Sequence, residues 1–170
     1  MSTATSRAAS AVDLVLADLH DSENQLHLDL ERIGERHRAD HEVFHVTRDI
    51  ARWSARHVER LAEEGQRFGL DLDPRPASTN NLAAGVRRKA SEMTGRRHTP
   101  AMMLINDLRQ IYADASALEL DWVLLTQVAQ AVRDEGLLTL AQECRAETER
   151  QVTWAKTKLK EGASQALVTP

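Results

Sequence analysis

The stretch Asp18–Leu26, DLHDSENQL, carries apolar residues at helical spacing, and one of its three acids, Glu23, lies beside them on the helix surface. The same three- and four-residue spacing extends from Val12 to Ile33, which predicts an amphipathic helix with one apolar face. Glu23 falls on the flank of that face. A carboxylate there costs free energy unless a cation or hydrogen-bond donors pair with it. The stretch therefore predicts a helix that packs in a core and a candidate polar site within it.

The composition of the whole chain favours helices. The 170 residues are 42% hydrophobic and 28% charged but 4% aromatic, and their number suffices for one domain with a core. The net charge of −4 argues against a nucleic-acid partner, because phosphate binding needs a basic surface. A single cysteine, Cys144, excludes an internal disulfide. Because no apolar run is long enough to span a membrane, a cytoplasmic protein with no membrane partner is expected.

The first half of the chain predicts a helical hairpin. Residues 1–9 are small and polar and are predicted to be disordered, and the first helix begins near Ser10. The apolar phase shifts at residues 38–40, so a turn is expected there before the second helix. Gly69 is typical of a helix end. The residues predicted to face inward on the second helix are Val43, Ile50, Ser54, His57, Leu61 and Phe68.

The second half predicts another hairpin. Thr99 and Pro100 are typical of an N-cap and a first helical residue, so a third helix is expected after them. Residues 134–136 predict a tight turn into the fourth helix, and residues 162–170 are expected to form a tail. The inward residues predicted on these two helices include Trp122, Leu125, Cys144, Thr148 and Gln151.

A long crossover, residues 70–100, joins the two hairpins, and a short helix is expected inside it at residues 82–93. The chain is thus predicted to be all-α. Residues 10–161 should form an antiparallel four-helix bundle of two hairpins with one long connection, which is the ferritin-like topology. The crossover also carries basic residues, predicted to form a solvated face or, alternatively, to meet an acidic partner: Arg87, Arg88, Lys89, Arg96 and Arg97.

Inward polar residues are expected to meet in one layer halfway along the bundle. Residues equally far from the turn of an antiparallel hairpin lie opposite one another, so Glu23 should lie level with His57, and Glu119 level with Gln151. Glu147 sits one turn from Gln151, at the edge of its face. Carboxylates and imidazoles at one depth suit a dinuclear iron or manganese site. The alternative is that the acids extend to solvent and His57 is a hydrogen-bonded core residue.

The stretch Asp18–Leu26 resembles the opening DLYDAEKQL of the stress-associated, ferritin-like proteins of the YciF type. His57–Leu61, followed by Phe68 and Gly69, is similar to the end of that family's second helix. The resemblance implies a ferritin-like bundle that forms dimers and holds a carboxylate-rich, dinuclear metal centre. It matches Glu23 and Glu119 to family acids and His57 to a family position held by Gln or His. Together with helical phase, it gives the candidate metal ligands as Glu23, His57, Glu119 and Glu147, with Glu149 and Gln151 as weaker candidates.

The chain also departs from the pattern of that family. Trp53 and Ser54 stand where the second helix should offer an acid before His57, and the fourth helix has no Glu-x-x-His pair. The side chains of the four main candidates are too few to ligate two metal ions. Ferroxidase activity is therefore not expected, because oxygen activation needs both ions bridged by carboxylates. The predicted role is metal handling or stress protection, with iron or manganese in a mid-bundle site that has fewer ligands than the family pattern.

A second apolar stripe on the third helix, roughly opposite its core face, predicts a self-association surface. Its residues are Leu120, Val123, Leu124 and Val128. A homodimer is expected through this stripe, and cover by the crossover is the alternative. The alternative function is accordingly a metal-free structural or interaction protein that acts through the dimer surface. A carrier of a small ligand, bound over the polar layer, is a third hypothesis.

The remaining reactive side chains are predicted to have no role in binding. Cys144 should be inert packing, since its sequence context shows no basic neighbour. The turn at residues 38–40 separates His37 from His41, which would otherwise lie on one face of a helix. Histidines outside the core are therefore predicted to be solvated, with a surface metal at paired histidines as the alternative: His20, His27, His37, His41 and His45.

Overall fold

The computed structural model describes the backbone of residues 2–78 and 99–168, and the side chains of residues 11–78 and 99–164. That part of the chain contains α1 (Ser2–Arg36), α2 (His41–Arg67), α3 (Pro100–Val132) and α4 (Glu135–Val168). The helix expected at residues 82–93 and the basic residues of the crossover lie outside the described residues. Among the described helices, none is long and apolar enough to cross a membrane.

The ends of the helices follow local side-chain chemistry. Asp40 caps α2, with its Oδ1 accepting a hydrogen bond from the Val43 amide at 3.1 Å, and Gly69 ends that helix at φ 80°. Thr99 caps α3 ahead of Pro100, as predicted. The second turn differs from the prediction in one detail. The turn lies at Arg133 and Asp134, one residue earlier than the predicted residues 134–136, and Arg133 takes the left-handed conformation at φ 58°.

Neighbouring helices pack antiparallel, and α1 contacts α2 and α3 while α4 contacts α3 and α2. Arg36 near the end of α1 pairs with Asp107 near the start of α3 at 2.8 Å. Lys158 late in α4 likewise pairs with Glu42 early in α2 at 2.7 Å. Because α1 is antiparallel to both α2 and α3, the latter two run parallel, and the connection between them joins opposite ends of the bundle. The predicted architecture of two hairpins and one long connection is confirmed.

The described start of this connection lies along α1. The Asp73 carbonyl oxygen accepts a hydrogen bond from His20 Nε2 at 2.9 Å, and Asn24 Oδ1 accepts one from the Ala77 amide at 2.8 Å. His20 is consequently buried, with 6% of its surface exposed. The prediction that His20 is solvated is wrong, because the connection covers the side of α1 that faces away from the core.

The core fills the space between the four helices with side chains from the predicted faces. Glu23 lies at the centre of the α1 face and not on its flank, because α2 and α3 pack on either side of it. Leu16 is also fully buried. Fully buried large side chains from the four faces include Leu19, Leu26, Leu30, Leu61, Ile111, Leu118, Trp122, Leu125 and Leu137.

Candidate functional site

Each helix contributes one side chain to a polar layer halfway along the bundle. Glu23 comes from α1, His57 from α2, Trp122 from α3 and Glu147 from α4. The predicted pairing of Glu23 with His57 across the first hairpin is therefore present. Glu147 joins the layer from the second hairpin, whereas Glu119 does not.

Glu23 is the inner end of this layer and has no solvent exposure, 0%. Its Oε1 accepts hydrogen bonds from His57 Nδ1 at 2.7 Å and from Trp122 Nε1 at 3.0 Å. The His57 and Trp122 rings meet edge to face with their centroids 5.6 Å apart. Glu23 Oε2 is buried and has no hydrogen-bond partner among the described residues. Two donors on one oxygen thus fix the carboxylate, while no described residue donates to its second oxygen.

His57 lies between two carboxylates. Its Nδ1 faces Glu23, and its Nε2 lies 2.9 Å from Glu147 Oε2. An ionised carboxylate only accepts hydrogen bonds, so both ring nitrogens must carry protons and His57 is an imidazolium. Burial is the largest single effect and lowers the pKa of His57. The charge of Glu23 and the hydrogen bonds to Cys144 and Glu23 together exceed it, and they raise that pKa from 6.5 to about 10. His57 is therefore a fixed cation at neutral pH.

The outer end of the layer reaches the surface through arginines. Arg56 Nη2 donates to both oxygens of Glu147, at 3.0 and 3.2 Å. One turn further along α2, Arg60 donates to Glu143 at 2.7 Å and to the Cys144 sulfur at 3.6 Å. The prediction that Cys144 has no basic neighbour is therefore wrong, because the arginine arrives from the adjacent helix. Charges alternate along the chain of contacts from the bundle centre to the solvent.

A second set of buried polar groups lies one turn away from this layer. Gln151 Nε2 donates to the Ile50 carbonyl oxygen at 2.9 Å and to Ser54 Oγ at 3.0 Å. Thr148 Oγ1 donates to the Cys144 carbonyl oxygen at 3.1 Å. The amide of Gln151, a weaker candidate ligand, thus joins α4 to α2 through hydrogen bonds to Ile50 and Ser54, and not to Glu23 or His57.

Glu119 and Glu149 lie on another side of the bundle. Arg145 Nε donates to Glu119 Oε1 at 2.8 Å, and Arg145 Nη2 lies 2.8 Å from Glu149 Oε1. One arginine of α4 thus neutralises both acids at the α3–α4 contact. Of the six candidate ligands, the structure brings together Glu23, His57 and Glu147.

These donors do not fit a dinuclear metal centre. The two carboxylates lie against different nitrogens of one imidazolium, so their hydrogen-bonded oxygens do not converge on a common point. Glu119, the fourth predicted ligand, is held by Arg145. Within residues 11–78 and 99–164, no group of three or more His, Cys, Asp or Glu side chains is arranged to hold a metal ion. The arrangement can keep His57 protonated between the Glu23 and Glu147 carboxylates, with Arg56 as the outer cation. Bridging two metal ions would require these side chains to take new positions.

Three participants of the layer were absent from the sequence prediction. Trp122 was predicted as core packing, and its indole N–H is the second donor to Glu23. Arg56 and Arg60 were not singled out, although they are four residues apart on α2 and face Glu147 and Glu143, four apart on α4. That matched charge spacing between two helices is the signal that would have identified them.

No family model matches this chain, and no curated protein or solved structure matches it.

Proposed function

We propose that this chain is a structural or interaction protein that acts through its surface, with the mid-bundle layer serving to fix the register of its four helices. The observation that carries the proposal is the continuous series of ion pairs Glu23–His57–Glu147–Arg56, which runs from the core to the surface. Each carboxylate in it already faces a cation, and the formal charges of the four groups cancel. A buried network of this kind specifies one arrangement of helices, since any shift by a turn separates its charges.

The surface through which the protein acts is the outer face of α3. Leu120 and Leu124 are 61% and 55% exposed, although both are large aliphatic side chains. Val123 is half-buried, and Val128 packs partly against the core, so the two leucines carry the exposed part of the predicted stripe. Neighbouring leucines on a helix face favour association with a second apolar surface, most simply that of a second copy about a twofold axis.

The resemblance of residues 18–26 to stress-associated proteins of the YciF type supports a role in stress protection. Members of that family form dimers, which agrees with self-association through α3. The departures from the family pattern at Trp53 and Ser54 agree with a layer that has exchanged metal ligands for an internal ion pair.

One observation favours a second candidate function, metal handling at the same layer: a buried carboxylate oxygen that no described side chain contacts by a hydrogen bond. Glu23 Oε2 is a buried carboxylate oxygen without a hydrogen-bond partner among the described residues, and such an oxygen is a ligand that iron and manganese accept. Binding there would require His57 to release a proton, because a metal ligand must be the neutral imidazole. Holding an ion with Glu23, His57 and Glu147 would also require these side chains to move, because the two carboxylates lie against different nitrogens of the His57 ring.

Sedimentation equilibrium tests the first candidate. We expect a dimer for the unchanged chain and a monomer for Leu120→Glu/Leu124→Glu, because two buried charges would oppose the contact. Met102→Glu/Met103→Glu is the matched control, since both methionines are exposed on the same helix about 27 Å away along its axis. A monomeric unchanged chain, or equal masses for all three proteins, would contradict the proposed surface.

Elemental analysis of protein from metal-supplemented culture separates the two candidates. The first predicts no stoichiometric iron or manganese. Bound iron or manganese that is lost in Glu23→Gln would replace the first candidate by the second.

A further inference from the structure

A groove of about 290 Å³ lies at the turn between α1 and α2, away from the mid-bundle layer. Its walls are Glu35, Arg38, His41, Phe44 and His45. The turn that separates His37 from His41 falls before α2, so His41 and His45 both belong to α2 as its first and fifth residues. The groove is therefore lined by two imidazoles from consecutive turns of one helix.

These two imidazoles differ from the other described histidines in being free to bind. His20, His27, His37 and His57 each have a ring nitrogen hydrogen-bonded to a backbone or carboxylate oxygen. Among the described residues, His41 and His45 make ring contacts but no hydrogen bond or ion pair, and both are exposed. The prediction that they are solvated is confirmed, whereas His37 is held at 2.7 Å by Asp107.

The spacing of the pair brings the rings side by side. Residues i and i+4 of a helix are neighbours on its surface, with Cβ atoms about 5–6 Å apart. The His41 and His45 ring centroids are 6.3 Å apart, and the ring planes are inclined by 28°. Phe44 contacts the His45 ring edge to face at 5.1 Å and restricts its rotation. Small side-chain rotations would therefore direct one nitrogen of each ring at a common point in the groove.

We propose that His41 and His45 form a surface site for one divalent ion of the zinc, nickel or copper class, with water at the remaining positions. Two neutral imidazoles are the ligands these ions prefer, whereas magnesium and calcium favour oxygen donors. Glu35 lines the same groove and offers a carboxylate that offsets the charge of Arg38. Asp40 and Glu42 flank His41 at the positive end of the helix dipole, where Lys158 pairs with Glu42 at 2.7 Å and lies 4.0 Å from Asp40, so Glu35 is the groove's own carboxylate.

Ion binding at this site would join the first two turns of α2. Because the ligands are correctly spaced in the helix and not in the unfolded chain, the folded state binds more tightly, and the ion raises the melting temperature. Protons compete for the imidazole nitrogens, so the effect should weaken as the buffer becomes acidic.

Isothermal titration of the full chain with zinc chloride at neutral pH tests the proposal. We expect saturable binding of one zinc per chain, no saturable binding for His41→Ala or His45→Ala, and none when magnesium replaces zinc. His37→Gln is the matched control, since His37 belongs to the same turn but contacts Asp107, and it should bind zinc like the unchanged chain.

Glu23→Gln separates this site from the mid-bundle layer, because a groove site predicts unchanged zinc binding in that variant. Zinc binding that survives both alanine substitutions, or that is absent from the unchanged chain, would overturn the proposal. Circular dichroism of the alanine variants checks that their helices are intact, which is expected for exposed residues.

Discussion

Glu23 Oε1 lies 2.7 Å from His57 Nδ1 at the centre of the bundle, and the two side chains are 0% and 1% exposed. Burying two charges costs free energy that their attraction offsets only when the geometry is good and further hydrogen bonds are present. Here Trp122 and Glu147 supply those bonds on either side of the pair. Removal of one charged partner should therefore lower the free energy of unfolding strongly, even though the intact pair adds little stability compared with apolar residues at the same positions.

The first prediction concerns Glu23→Gln. The change keeps the shape of the side chain but leaves the His57 cation without its inner carboxylate, so the free energy of unfolding should fall by about 3–5 kcal/mol. Urea denaturation followed by circular dichroism measures it. Glu119→Gln is the matched control, because its carboxylate pairs with Arg145 at a partly exposed position, and its cost should stay below about 1 kcal/mol. Equal costs for the two variants would contradict a buried ion pair at Glu23.

The second prediction is a pH dependence of stability. The pKa of His57 is raised in the folded state to about 10 from 6.5, so folding favours the protonated ring. The stabilisation from His57 is complete below pH 6.5 and is lost as the pH rises through 10. Urea denaturation at intervals from pH 6.5 to 10 should show a steady decline. The decline should be smaller in Glu23→Gln, since the charge that raises the pKa is gone, and an identical slope in both proteins would count against the assignment.

The third prediction compares two tryptophans. Trp122→Phe removes a hydrogen bond to the buried Glu23 carboxylate and should lower the free energy of unfolding by about 1.5–3 kcal/mol from that bond alone. Trp154 provides the control, because its Nε1 is buried without a partner among the described residues. Trp154→Phe removes a similar volume and an unsatisfied donor, so it should cost less than Trp122→Phe in chemical denaturation. The reverse order would show that packing outweighs the hydrogen bond.

The helical faces were predictable because burial follows the helical period. Leu19, Leu26 and Trp122 are buried as the spacing requires, and residue depth in a hairpin correctly placed Glu23 opposite His57. The position of Glu23 at the centre of its face was not predictable from one helix. The width of a buried face depends on how many neighbours pack against it, and α1 has two in addition to the connection.

The partners of the acids were also beyond a single-helix pattern. Glu119 and Glu147 sit on similar edges of their faces, but Arg145 lies within reach of Glu119, whereas His57 and Arg56 lie within reach of Glu147. Long side chains from neighbouring helices decide these pairings. The burial of His20 has a similar cause, because it depends on the path of a connection with no periodic pattern of its own.

The fourth prediction concerns Gly34 of α1, which lies close to Thr47 of α2. A Cβ atom added at Gly34 would lie 2.5 Å from Thr47 Oγ1, and this hydroxyl is held by its hydrogen bond to the Val43 carbonyl oxygen at 2.7 Å. Gly34→Ala should therefore lower the free energy of unfolding by about 1–3 kcal/mol, even though alanine favours helix. Adding Thr47→Ala should recover part of that loss by removing the hydroxyl.

Gly162 is the matched control, because a Cβ there would meet Ile105 at an ordinary 3.7 Å, and Gly162→Ala should stabilise the protein by up to about 1 kcal/mol. Thermal denaturation of the three variants tests this prediction, and a more stable Gly34→Ala would show that the two helices separate easily near Gly34.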